Sequence, residues 1–331
     1  MQTPPAESAS EHAPGRSRDR YFNTRVVPGG YRWWYLDVVS DCGQYSMVVI
    51  GFIGSVFSPY YARARRRGSG DPYAHCSINA ILYGPRSKRW AMTERTGDQL
   101  SGDAQGIAVG PSALTWSGDT LEAHIDEVCT PWPRRLRGRI RIEPDQLQHD
   151  AYTLHSNARH HWWPIAPRAR AEVHLEQPDV SFSGSGYIDT NFGEESLEQG
   201  FIYWDWTRAE SPEPGDATPA LTYHVVQRDG HEHTLALALA PDGLLTQTRP
   251  PIAQRLPRSG WRVSRHARND EPITDVRTLE DTPFYARSLI RTGGDPSSTL
   301  MHESLSLTRF ESRWVQFLLP FRMPRRNTAS R

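Results

Sequence analysis

Between Ser181 and Arg208 the chain reads SFSGSGYIDTNFGEESLEQGFIYWDWTR. A strand turns every second residue to the same side, so Tyr187, Asp189 and Asn191 share one face. His160-His161-Trp162-Trp163 lies just upstream, and Trp204 and Trp206 lie just downstream, so one acid stands among a histidine pair and several indoles. Burial disfavours a charged carboxylate and leaves it holding a proton to donate. The grouping therefore suits acid chemistry on an apolar substrate. A blander reading of Asp189 is a turn or ladder-end aspartate bonded to backbone amides, and of Tyr187 a core tyrosine with a satisfied hydroxyl. The residues alone leave both open.

Other chemistries find less support. His160 and His161 are adjacent, so on an extended segment they point to opposite sides and cannot form a two-ligand face. His231-Glu232-His233 places two imidazoles on one side, but the Asp229-Gly230 before it reads as a hairpin turn, which makes an exposed setting the expectation. No metal is assigned. No G-x-S-x-G, phosphate-binding loop or dinucleotide fingerprint occurs between a strand and a helix, so no nucleotide or nicotinamide cofactor is implied. Among the 11 tryptophans, Trp33, Trp34, Trp90, Trp116, Trp162, Trp163, Trp204 and Trp206 fall in strand-like runs. Most are expected in the core, and those that line a cavity could stabilise positive charge by about 0.5 to 2 kcal/mol each.

The elements that must position these groups are strands. WWYLDVV, SMVVIGFIG, CSINAILYG, RWAMTER, ALTWSG, TLEAHIDEV, RLRGRIRI, AEVHLE and VSFSGSGYIDTN are short, β-branched or aromatic, and separated by Gly, Pro and Asp. IYWDWTR, LTYHVV, HTLALALA, LLTQTR, WRVSRHA, VRTL, FYARSLIR, LMHESLSLTRF and WVQFLL continue the series. Long helical periodicity is absent, and an all-β protein of two barrels or sandwiches follows. A weak repeat supports two units: Arg32-Trp33-Trp34-Tyr35-Leu36-Asp37 opens the first series and Ile202-Tyr203-Trp204-Asp205-Trp206 the second. The expected organisation is a disordered tail over residues 1–24, a first domain over 25–194 and a second over 195–331, divided in the acidic stretch from Gly193 to Gln199.

Composition bounds the partners. With 331 residues, 38 basic and 38 acidic side chains, the chain carries no net charge and no electrostatic footprint for nucleic acid. Cys42, Cys76 and Cys129 are odd in number and lack CxxC spacing, so neither a disulfide framework nor a zinc site is indicated, and a reducing compartment fits. The first two dozen residues lack the apolar stretch of a secretory signal. The longest apolar run, Met47 to Phe57, is far below the roughly 20 residues that cross a bilayer as a helix. Arg63 to Arg67 (RARRR) follows the apolar SVFSPYYA, an order that suits contact with anionic headgroups as well as a solvated charged loop.

Several blocks resemble one family: GGYRWWYLDVVSD (Gly29 to Asp41), FIGSVFSPYYARARRRG (Phe52 to Gly68), RWAMTER (Arg89 to Arg95), GYIDTNFG (Gly186 to Gly193), YWDWTR (Tyr203 to Arg208), DTPFYARS (Asp281 to Ser288), and HESLSL with VQFLLPFRMPR near the end. The family is that of the bacterial carotenoid 1,2-hydratases, or hydroxyneurosporene synthases. The resemblance implies two consecutive lipocalin-like antiparallel β-barrels. It also implies cofactor-independent addition of water across the terminal 1,2 double bond of an acyclic carotene such as neurosporene or lycopene, giving a tertiary 1-hydroxy product. The family's proposed His, Trp, Tyr and Asp carry over onto His160, Trp162, Tyr187 and Asp189. Because HHWW doubles both residue types, a one-residue slip would move two roles to His161 and Trp163.

The expected chemistry is protonation of the alkene by Asp189, leaving a tertiary cation. Trp162 and Tyr187, with Trp204 or Trp206, shield that cation, and His160 positions or deprotonates the incoming water. Trp163, Asn191, Trp204 and Trp206 are expected to contact substrate. The substrate is a hydrocarbon dissolved in membranes, so peripheral contact at the cytoplasmic face of the inner photosynthetic membrane is expected, with SVFSPYYARARRR as the docking loop. No obligatory protein partner is expected. The rival reading is a non-catalytic lipocalin-type carotenoid or lipid carrier, which gains nothing from a buried acid.

Overall fold

The computed structural model describes residues 21–22, 25–85, 88–210, 212–216, 218–294 and 298–326. The first half is built of β1 (Tyr31–Ser40), β2 (Ser46–Ile53), helix α1 (Pro59–Arg66), β3 (Cys76–Tyr83), β4 (Lys88–Arg95), β5 (Leu100–Gly102), β6 (Gly106–Val109), β7 (Ser112–Ser117), β8 (Thr120–Val128), β9 (Arg135–Pro144), β10 (Tyr152–Thr153), β11 (His160–Gln177) and β12 (Val180–Gly193). The second half holds α2 (Leu197–Gly200), β13 (Phe201–Ala209), β14 (Leu221–Gln227), β15 (Glu232–Leu239), β16 (Leu245–Gln247), β17 (Ala253–Arg255), β18 (His266–Arg268), β19 (Ile273–Asp281), β20 (Tyr285–Thr292), β21 (Thr299–Ser306), α3 (Leu307–Phe310), α4 (Arg313–Arg322) and β22 (Arg325–Arg326).

Two curled sheets of lipocalin-like form result. The first runs β22-β4-β3-β2-β1-β12-β11-β9-β8-β7-β6-β5, with β10 on β11, and the second runs β16-β15-β14-β13-β21-β20-β19. Their pairings are antiparallel except that β22 lies parallel to β4. Alternation explains the outer strands: β9 (RLRGRIRIEP) buries Leu136, Ile140 and Ile142 and turns its arginines outward. β1 is buried along its whole length. Trp34, Leu36 and Val38 enter the first barrel's interior, whereas Trp33, Tyr35 and Val39 face the second sheet, where they pack with Tyr187, Trp204 and Trp206.

The chain crosses the expected division at both ends. Residues 1–20, 23 and 24 of the expected tail lie outside the described residues, but Tyr21 and Phe22 are core residues. Phe22 stacks on Trp34 at 4.9 Å, and the Tyr21 carbonyl accepts from the Trp34 indole at 2.7 Å. At the other end, Arg325 and Arg326 return from the second unit to pair with Glu94 and Arg95 of the first sheet.

Several segments differ from their sequence reading, among them the end of LMHESLSLTRF, where Leu307–Phe310 is α3. WVQFLL lies in α4, because Val315 and Leu319 recur at helical spacing as the buried face. Of WRVSRHA, only His266 onward is strand. The expected docking loop contains α1, capped by the Ser58 hydroxyl, which accepts from the amides of Tyr60 and Tyr61 at 3.1 and 3.0 Å. Proline at its first position and arginines in its last turn suit a helix dipole. Among the described residues, no helix is long and apolar enough to cross a membrane.

Candidate active site

Three strands of the first sheet and one of the second converge on Asp189. In the β1·β12 ladder Trp33 is opposite Asn191, Tyr35 opposite Asp189 and Asp37 opposite Tyr187, while Trp162 of β11 lies opposite Asn191 on the other side. Across the gap, β13 answers β1 in the same order. Trp204 meets Trp33 at 6.2 Å between ring centroids, Trp206 meets Tyr35 at 5.6 Å, and the Arg208 Nε donates to Asp37 Oδ2 at 2.6 Å. The weak sequence repeat thus marks the two strands that face each other.

Asp189 is almost fully enclosed. Its Oδ2 accepts from the Trp162 indole and from the Tyr187 hydroxyl, each at 2.9 Å. Its Oδ1 is buried without a hydrogen-bond partner. Burial pushes the acid up to about 8, against the two hydrogen bonds that pull it down, and the negative charges of Glu303 and Asp37 push the same way as burial. With both donors on Oδ2, the carboxylic proton belongs on Oδ1, the oxygen that keeps it available. Burial also holds the Tyr187 phenol well above its ordinary value, and Asp189 adds to this, so Tyr187 remains a donor.

Aromatic faces complete the enclosure. Tyr187 contacts Trp206 at 5.2 Å and Tyr35 at 6.1 Å, and Trp162 contacts Tyr223 at 5.1 Å. Asn191 donates to the Tyr223 hydroxyl at 3.4 Å. The Trp206 indole N–H is buried without an acceptor. Beside this group runs a cavity of about 340 Å³ between the two sheets, bounded by Trp33, Tyr35, Ile81, Trp204, Tyr285 and Leu319 among others. Tyr35 is both a wall of that cavity and the ladder partner of Asp189, and of the expected site residues Trp204 lines the cavity, whereas Asp189, Asn191, Trp162, Tyr187 and Trp206 are not among its lining residues.

Not every expected residue joins. His160 is fully buried at the end of β11, with Nδ1 at 2.9 Å from the Tyr31 hydroxyl and Nε2 at 3.3 Å from Glu195. Both ring nitrogens are therefore engaged away from Asp189. Burial lowers His160 to about 4, outweighing the Glu195 charge that raises it, so it is neutral near pH 7. This geometry makes it an anchor between β1, β11 and the Glu195 loop, and the expected water-handling role has no contact to rest on. Trp163 faces the other way, into the first barrel: its indole donates to the Gln148 carbonyl at 3.2 Å and its ring packs on Tyr21 at 5.0 Å. His161 stacks on Phe192 at 5.0 Å. The doubled HHWW thus resolves with His160 and Trp162 turned toward the inter-sheet side.

The sequence reading passed over a buried ionic group. Asp37 is paired with Arg208 and, through Oδ1 at 2.5 Å, with Arg287. Arg287 also donates to Tyr35 and to Glu303, and the Tyr35 hydroxyl donates to Glu303 at 2.8 Å. Part of this was available, since Asp37 shares a strand face with Trp33 and Tyr35. Arg287 on β20 and its further partner Glu303 on β21 carried no such signal. A second buried cluster, Asp205, His302 and Ser304, lies on the opposite side of β13. There the Ser304 hydroxyl donates to Asp205 and His302 bridges Thr207 and Ser304 at 3.0 and 2.9 Å, which is not the arrangement of a nucleophilic triad. Among the described residues no three His, Cys, Asp or Glu side chains converge as metal ligands.

A buried acid with raised proton affinity, set between two lipocalin-like sheets among aromatic faces, is the most distinctive chemical feature of this region. Comparison with known proteins shows the family. The profile of the carotenoid hydratase CrtC family matches residues 49–331, and the chain belongs to that family and is a hydro-lyase. It is 47% identical over 313 residues to the acyclic carotenoid 1,2-hydratase of Thiocapsa roseopersicina, covering 93% of this chain and 76% of the relative. It is 42% identical over 311 residues to the enzyme of the same name from Rubrivivax gelatinosus, covering 92% and 76%. Among solved structures, an AttH candidate from Nitrosomonas europaea superposes with a TM-score of 0.60 at 12% identity, over 91% of this chain and 99% of that one. That likeness concerns the fold alone.

Proposed function

We propose that this hydratase adds water across the terminal 1,2 double bond of acyclic carotenes such as neurosporene and lycopene. The observation that carries the reading is Asp189, an enclosed carboxyl that burial pushes up to about 8 and whose Oδ1 has no protein hydrogen-bond partner, which suits it to hold a proton there. In the proposed reaction Oδ1 gives that proton to C2 of the alkene, and the positive charge forms at the tertiary C1. The rings of Trp162, Tyr187 and Trp206 favour that charge through their faces. The anionic side of the buried ionic group, Glu303, reaches the same cavity and acts in the same sense. Water then adds at C1, and the proton it loses restores Asp189, so atoms and charge balance without a redox cofactor.

At about 340 Å³ the cavity is at the low end of sites that enclose drug-sized ligands. It therefore takes the end of a long polyene and leaves the remainder outside. This supports a substrate that stays partly in a lipid phase, and hence a protein acting at the surface of the inner photosynthetic membrane from the cytoplasmic side. The deciding experiment is incubation of the purified protein with dispersed lycopene and neurosporene in deuterated water, without cofactors. Hydration is expected to place deuterium on C2, next to the new tertiary alcohol. Carotene that binds and is recovered unchanged would establish the carrier instead.

A further inference from the structure

Helix α4 has two apolar faces. Val315 and Leu319 are buried, whereas Trp314, Phe317, Leu318 and Phe321 stand at the i, i+3, i+4 and i+7 positions of the outer face and are 49%, 69%, 42% and 67% exposed. Trp261, 49% exposed, stacks against Trp314 at 5.9 Å and extends the patch onto the adjoining loop. Trp132, the most exposed of the large apolar residues at 74%, is on the β8–β9 loop, whose Thr130 hydroxyl donates to the Arg322 carbonyl at the end of α4 at 2.8 Å. Aromatic residues gathered at this density on one side mark an interaction surface.

Two observations say what covers it. Leu318 and Trp261 are exposed and also line the inter-sheet cavity, so the patch adjoins the cavity through these two residues, while Trp132, Trp314, Phe317 and Phe321 stand outside its lining. Helix α1 packs against α4 and carries Arg63, Arg66 and Arg67 outward. Two of the acids beside these helices are already taken, Glu198 by Arg65 at 2.6 Å and Glu311 by Arg228. Arg63, Arg66, Arg67 and Arg313 form no ion pair among the described residues. An exposed band rich in Trp and Phe beside unopposed arginines fits the headgroup boundary of an anionic bilayer.

We propose that the outer face of α4 inserts into the surface of an anionic membrane, with the arginines of α1 over the headgroups. The cavity mouth then opens directly into the acyl region, where a carotene end can slide in without entering water. This surface replaces the α1 segment alone as the docking element, because α1 turns Tyr61 and Ala62 inward and offers charge without an exposed apolar wedge. The inference rests on the hydratase reading for its substrate and on the α4 patch for its site, and the two can fail separately.

The test is flotation of the full chain with vesicles of neutral phosphatidylcholine, with and without anionic phosphatidylglycerol. The variants are F317S/F321S, W314S, and R63S/R66S/R67S. The phenylalanine pair is expected to lower partition onto anionic vesicles by at least about tenfold, in proportion to the apolar area lost. It should leave the melting temperature and the hydration of detergent-dispersed carotene unchanged, while hydration of vesicle-embedded carotene falls. The arginine variant is expected to weaken binding to anionic vesicles only. If the phenylalanine pair fails to fold, W314S carries the same expectation. Equal flotation of wild type and variants overturns the proposal, as does a wild-type protein that does not float and instead forms a dimer dissolved by these substitutions. Flotation lost as expected, with no hydration by wild type in either dispersion, leaves docking standing and removes the hydratase reading.

Discussion

Asp37 and Asp189 are two buried aspartates on one face of the same ladder, each opposite a tyrosine: Tyr187 for Asp37 and Tyr35 for Asp189. Their surroundings differ in one respect. Asp37 receives two guanidinium groups, Arg208 and Arg287, whereas Asp189 receives two neutral donors, Trp162 and Tyr187. Neutral donors do not offset the loss of hydration that a charged carboxylate suffers on burial, so Asp189 is pushed up to about 8. One residue type at nearly one place thus serves as counter-ion in one case and, in the proposed reaction, as proton donor in the other. The choice is made by side chains arriving from a different sheet.

The largest effect expected from breaking this contrast is in D189N. The amide keeps the shape and the acceptor for Trp162 and Tyr187 but has no acidic proton, so turnover of dispersed lycopene should fall by about 10³-fold or more, near the upper range for a lost general acid. Because Asn has no charge to bury, the melting temperature near pH 7 should not fall. A parallel loss of fold and activity would make Asp189 structural. D37N should do the reverse, leaving two buried arginines short of their anion at a cost of about 3 to 5 kcal/mol of stability, read by denaturant unfolding.

The pH dependence sharpens the comparison further. Hydration should be level below about pH 8 and fall above it as Asp189 loses its proton. For stability, the folded acid holds a proton that the unfolded chain has released between about pH 4 and 8. Stability from this group is therefore present at the acid end and declines as pH rises through that window, by up to about 1.4 kcal/mol per pH unit. His160 acts oppositely: lowered to about 4 in the fold, it costs stability as pH drops below its unfolded value of about 6.5. Of these two groups, only Asp189 operates between about pH 6.5 and 8, and D189N should flatten the unfolding slope there. The smallest effect is expected from W162F. It removes a hydrogen bond that favours the carboxylate and should move the alkaline limb of the activity profile upward by up to about one unit.

Much of this was legible from residue order. The period of two in GYIDTNFG put Tyr187, Asp189 and Asn191 on one face, and the same period in WWYLD put Trp33, Tyr35 and Asp37 on another. The strand sequence and the all-β class followed from short β-branched runs between turn residues. WVQFLL was misread because a six-residue apolar run fits a buried strand and a helix equally well, and only its second row of partners, with Val315 and Leu319 inward, separates them. Trp163 was misassigned because its side depends on where β11 enters the sheet, and irregularities in the pairing of β11 with β12 begin just after it.

The sequence by itself determined which side chains share a strand face, because that periodicity is a property of an extended backbone. It also carried a weak repeat, Arg32 to Asp37 and Ile202 to Trp206, which reads as two similar units and turns out to lie on the two strands that face each other. Only the tertiary structure decided that these faces meet between the barrels and not inside one of them. It alone decided that arginines from β13 and β20 go to Asp37 and none to Asp189, and that His160 is spent on Tyr31 and Glu195. Burial and charge pairing act through contacts between residues distant in the chain, and those contacts set how firmly Asp189 holds its proton.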